Sequence, residues 1–181
     1  MSNVLKIIFI IIISIIQLSF ISAFNGLAHL DIILSIAIIL LFFHSKTSQH
    51  SGKGLNFLSS FVVISGVILD SYSQLPFPVI TLSLITSIFL LNILFKNLFT
   101  NRSLYSLMLL GLIGTIIYNF VLYVLVYLAY IFKFAKYYPE LNKLYFSFAL
   151  WQIIANIIFL AILWFIFNFF RAKIQKTFFL E

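Results

Sequence analysis

Residues 104–132 read LYSLMLLGLIGTIIYNFVLYVLVYLAYIF, an apolar run without a single Asp, Glu, Lys or Arg. As a helix rising about 1.5 Å per residue it would reach about 43 Å, more than the roughly 30 Å hydrocarbon core of a bilayer. Five more stretches resemble it: Ile7 to Phe24, Leu27 to Phe43, Leu55 to Asp70, Phe77 to Phe95 and Leu144 to Phe170. The second and third are short for a span, whereas the last matches the quoted run and should tilt or project beyond the core. The fold expected is an all-α integral membrane protein, a compact bundle of about six transmembrane helices forming one domain over residues 1–181.

Composition points the same way. Of the 181 residues, 64% are apolar and only 8% charged, too little polar surface to clothe a water-soluble globule. Disorder is excluded by the abundance of Ile, Leu and Phe, and the absence of cysteine removes disulfides, thiolate metal sites and cysteine nucleophiles together.

The net charge of +7 reads as orientation in a membrane. The 11 basic residues sit singly or in small groups between apolar runs, with no aromatic-basic module, so no nucleic acid partner is expected. With the N-terminus in the cytoplasm, the inner segments hold Lys6, Lys46, Lys53, Lys96, Arg102, Arg171, Lys173 and Lys176. The outer ones hold only Lys133, Lys136 and Lys143, which favours both termini cytoplasmic and a multi-pass protein of the cytoplasmic (inner) membrane. Lys6 followed by Ile7–Ile16 and Ile21-Ser22-Ala23 also resembles a signal peptide; the apolar run continuing to Phe24 favours an uncleaved first helix. Arg171, Lys173 and Lys176 add attraction to anionic headgroups of the lipid bilayer.

The longest polar stretch, His44 to Gly54, is a short flexible connection, so function must lie in helices and loops. Pro76 and Pro78 mark a sharp turn before the fourth helix, with Pro78 in that helix's first turn, and Thr100–Ser103 offers a cap for the fifth. No internal repeat suggests inverted halves.

Candidate chemistry is sparse. Asp31 and Asp70 are expected at the outer ends of their helices, and no helix centre is expected to carry a charged residue, which argues against a proton relay. His29, His44 and His50 show no metal-ligand spacing, and no GxSxG occurs. The expectation is no catalytic residue, no metal, no cofactor and no enzyme activity. Packing signals are richer: Gly111, Gly114 and Thr115 continue to Tyr118 and Asn119 as one face, and Gln152 and Asn156 form a stripe on the sixth helix. Both read as helix-helix glue. Tyr137, Tyr138 and Tyr145 fit an interfacial belt, and Trp151 and Trp164 are expected to pack within the sixth-helix region.

One stretch carries a family resemblance. Gly66-Val67-Ile68-Leu69-Asp70-Ser71-Tyr72-Ser73-Gln74-Leu75-Pro76-Phe77 resembles the glycine, aliphatic, aspartate, spacer and proline signature of the rod-shape-determining membrane protein family MreD. The layout continues to resemble that family through Lys96 to Arg102 and the next helix. Gly66, Asp70 and Pro76 are the positions carried over, while Pro78 stands where the family pattern has a glycine. The resemblance implies a non-enzymatic scaffold of the cell-wall elongation complex, working with MreC-like, MreB-like and RodA-like proteins and penicillin-binding synthases. The alternative is a transporter subunit resembling the substrate-capture component of energy-coupling-factor transporters, with His29, Asp31 and Asp70 lining an outward pocket.

Overall fold

The structure, a computed structural model, describes the backbone of residues 3–23, 31–44, 53–98, 103–135 and 143–178, and the side chains of 7–19, 31–42, 57–96, 103–135 and 143–169. His29, His44 and His50, the cations Lys6, Lys46, Lys53, Arg102, Lys136, Arg171, Lys173 and Lys176, and Tyr137 and Tyr138 lie outside the described side chains.

Among the described residues the chain is all helical: α1 (Asn3–Ala23), α2 (Ile32–His44), α3 (Lys53–Tyr72), α4 (Val79–Leu98), α5 (Leu104–Ile131) and α6 (Lys143–Phe178). Val79–Lys96, Leu104–Ile131 and Lys143–Phe169 are long and apolar enough to cross a membrane, and Ile7–Ser19, Ile32–Phe42 and Phe57–Tyr72 are the shorter apolar stretches among the described side chains of α1, α2 and α3. The class this establishes is an all-α protein with the helices of a membrane protein.

The shortest helix holds the centre. α2 touches every other helix, while α4 packs between α3 and α5, and α6 lies against α5. Ile33, Leu34, Ala37 and Ile38 are completely buried on α2. Where α2 meets the C-terminal part of α4, the Phe42 and Phe95 rings stand 5.7 Å apart. Outward faces are apolar too: Phe89, Phe120, Trp151 and Phe165 are all exposed, as lipid-facing side chains would be.

Small hydroxyl residues let these helices approach without stranding polar groups. Ser14, Ser65, Ser83, Ser87 and Thr115 are buried, and each bonds back to the carbonyl four residues earlier at 2.6–2.9 Å. Such a residue occupies little volume and keeps its hydroxyl satisfied within its own helix. Ser35 differs: its Oγ is the one buried side-chain polar atom without a partner among the described residues.

The ends of α5 are chemically defined. Ser106 N–H donates to Ser103 Oγ at the start, the cap expected within Thr100–Ser103, of which residues 100–102 lie outside the described residues. At the other end Lys133 adopts φ 62°, donating its N–H to Tyr130 O (2.9 Å), and Phe134 N–H reaches Ala129 O (2.8 Å). This is a Schellman closure with a lysine where glycine is usual.

Candidate functional site

Two buried polar centres organise the bundle, and each is built around an aspartate that serves a helix N-terminus. The first N–H groups of any helix have no partner within it and carry partial positive charge, so a carboxylate is a natural acceptor there.

The first centre lies where α3 turns into α4. Asp70 Oδ1 accepts the Ile80 N–H (2.9 Å), and Oδ2 accepts both the Thr81 N–H (2.8 Å) and the Thr81 hydroxyl (2.5 Å). Both oxygens are used and Asp70 is only 4% exposed, so its carboxylate is a cap lent by one helix to the next. Gly66 lies one turn earlier on the same face. A Cβ there would stand 2.9 Å from Thr81 Cα, a contact with backbone that cannot move aside, so glycine is what allows α3 to approach α4. The Gly66 and Asp70 spacing thus places a gap and an acceptor against one residue, Thr81. Ser73 closes the turn through its N–H to Asp70 O (3.3 Å), and Pro76 O accepts the Val79 N–H (3.1 Å).

Pro78 corrects one expectation. It directly precedes α4 instead of lying inside its first turn, its carbonyl accepting the Leu82 N–H (3.0 Å) after a cis Phe77–Pro78 peptide. The close backbone approach that proline denies on α4 is provided by Gly66 on α3.

The second centre joins four elements. Asp31 Oδ1 accepts the Leu34 N–H (3.0 Å) and the Gln17 amide (3.3 Å), while Gln17 Oε1 accepts the Ile33 N–H (2.8 Å). The Asp31 N–H donates to Asn156 Oδ1 (2.9 Å), and Asn156 Nδ2 donates to Thr115 Oγ1 (3.1 Å). One connected network therefore links α1, the start of α2, α5 and α6.

Asp31 does lie at the end of its helix, directly before Ile32, but it is buried against other helices where an exposed interfacial position was expected. Thr115 lies about 17 Å along α5 and Asn156 about 20 Å along α6, close to the middle of each long helix. Asp31 meets Asn156 there with 5% exposure, so an acidic residue at the end of one helix is buried against the middle of the others. The cause is the length of α2: its 13 residues rise only about 20 Å, so with Phe42 beside Phe95 its N-terminus stops among the other helices. An N-terminus buried there has no water to satisfy it, and Asp31 and Gln17 supply the acceptors.

Between α5 and α6 the polar stripes meet. Asn119 Nδ2 donates to Gln152 Oε1 (2.7 Å) and Tyr145 OH donates to Asn119 O (3.2 Å), so Tyr145 bridges helices as well as lying near their ends. The supposed single face of α5 is two faces. A Cβ at Gly111 would stand 2.3 Å from Leu160 Cδ1 on α6, whereas one at Gly114 would meet Ile38 and Leu91 on α2 and α4 at 2.8 and 2.9 Å. Trp164 packs against the core, but Trp151 is 60% exposed and does not pack inward as expected.

Sequence reading missed Gln17, Thr81 and the long-range role of Asp31. A lone amide within the apolar run of α1 was the available signal for Gln17, and a hydroxyl in the first turn of α4 for Thr81. No group of His, Cys, Asp and Glu suited to a metal ion occurs among the described residues. No protein-family model, curated protein or solved structure matches this chain.

Proposed function

We propose that the chain is a six-span protein of the cytoplasmic (inner) membrane with both termini inside, acting as a non-enzymatic, MreD-like scaffold of the cell-wall elongation complex. The observation that carries this reading is the Gly66–Asp70–Thr81 lock. The residues shared with the family signature fasten one helix to the next: Gly66 gives the close approach, Asp70 caps α4, and the Pro76 carbonyl closes the turn. A motif devoted to shape suits a protein whose task is to hold partners in register within the membrane. It suits substrate capture less well, because Asp31 and Asp70 are 5% and 4% exposed and their bonds are made within the bundle.

Cross-linking in native membranes followed by affinity purification and mass spectrometry tests the assignment. MreC-like and RodA-like proteins or penicillin-binding synthases should be recovered with the wild-type chain. Their absence would count against the scaffold, and recovery of an ATPase pair would replace it with the transport reading.

A further inference from the structure

Away from the Gly66 lock, α3 and α4 border a groove of about 180 Å³ lined by Ser59, Val62, Val63, Ile85, Phe89 and Asn92. Its walls are almost wholly apolar, with Ser59 and Asn92 the two polar residues along them. Asn92 makes no hydrogen bond to any described residue, a state it shares with Asn168 on α6, whereas the Gln17, Asn119, Gln152 and Asn156 amides are all bonded. An amide facing hydrocarbon without a partner is costly, so this one has an acceptor or donor to find.

What lies beyond it narrows the choice. Ile85, Phe89, Asn92 and Lys96 follow one another at helical spacing on a single face of α4. Lys96 is exposed and forms no ion pair among the described residues. The face therefore runs from apolar groove to hydrogen-bonding amide to cation, which is the order of acyl chain, glycerol ester and phosphate in a phospholipid.

We propose that the α3–α4 groove is a binding site for one anionic phospholipid of the leaflet beside the C-terminal end of α4. One acyl chain lies between α3 and α4, the Asn92 amide donates to an ester carbonyl, and Lys96 pairs with the phosphate. The inference rests on the membrane reading and not on the wall-elongation assignment, so loss of the proposed partners would leave it standing.

Native mass spectrometry of the full-length protein tests it, with phosphatidylglycerol and phosphatidylcholine of identical acyl chains titrated into detergent micelles. Phosphatidylglycerol should bind about fivefold more tightly, the increment of one cation near an anionic headgroup. Lys96→Gln should abolish that preference, while Lys133→Gln, beyond the far end of α5, should preserve it. Val63 is 41% exposed on the groove wall, so Val63→Phe fills the groove without entering the core and should weaken both lipids. Equal binding of the two lipids by the wild type would overturn the proposal, as would unchanged retention by Val63→Phe. Glycerol phosphate should not displace the lipid; competition at equal concentration would point to a bare phosphate site and would also overturn it.

Discussion

Asp70 and Asp31 perform the same elementary task by different routes. Each feeds carboxylate oxygen to the N–H groups that open a helix, Asp70 from the preceding helix and Asp31 from the residue just before its own. Asp70 works within one short turn, whereas the surroundings of Asp31 come from Gln17, Asn156 and Thr115, which are far apart along the chain. Asp70 uses both carboxylate oxygens; among the described residues Asp31 uses only Oδ1. The first centre is a local lock and the second a global one.

Substituting each aspartate by asparagine breaks the comparison most sharply. In Asp70→Asn the amide nitrogen faces the Thr81 N–H, donor against donor, and stability should fall by about 2 kcal/mol. Asp31→Asn keeps an oxygen for Leu34 and Gln17 and removes a buried charge, so its change should stay within about 0.5 kcal/mol. Midpoints of reversible SDS unfolding measure both. Equal losses would mean that the two carboxylates are equally committed.

Glycine substitutions sharpen the local lock. Gly66→Ala presses a methyl against the Thr81 backbone and should cost about 1–3 kcal/mol, the usual penalty of overpacking. Gly111→Ala meets the end of the Leu160 side chain and no backbone, so its loss in the same unfolding assay should be smaller. The reverse order would show that the α5–α6 contact is the tighter one.

The smallest effect belongs to the rim of the α5–α6 seam. Tyr145→Phe removes one hydroxyl bond to Asn119 O, and about 0.6 kcal/mol is the expected loss, typical of interhelical hydrogen bonds among membrane helices. A loss above about 2 kcal/mol would mean that the seam is coupled to the Asn156 network next to it.

Legibility followed distance along the chain. Apolar runs announced the helices, and Pro76 and Pro78 announced a sharp turn, because the residues involved are neighbours. The stripes on α5 and α6 were visible as small and amide residues, but the division of Gly111 from Gly114 was not, since a helix that is apolar all round gives no sign of which neighbour each face will meet. Trp151 was misplaced for the same reason: in a lipid-facing helix a large ring gains as much outside as inside. The proposed lipid groove was likewise invisible, for its walls come from two helices and exist only once these pack.

Composition and run length were enough to define an all-helical chain with stretches fit for a membrane, because the cost of exposing so much apolar surface to water depends on content more than arrangement. The depth of Asp31 was a matter of three dimensions. It depends on α2 being short, on α2 occupying the centre, and on Gln17 and Asn156 arriving from the outer helices to satisfy an N-terminus that has no water. A buried N–H can be satisfied by any acceptor within about 3 Å, and which one reaches it is settled only when the helices pack.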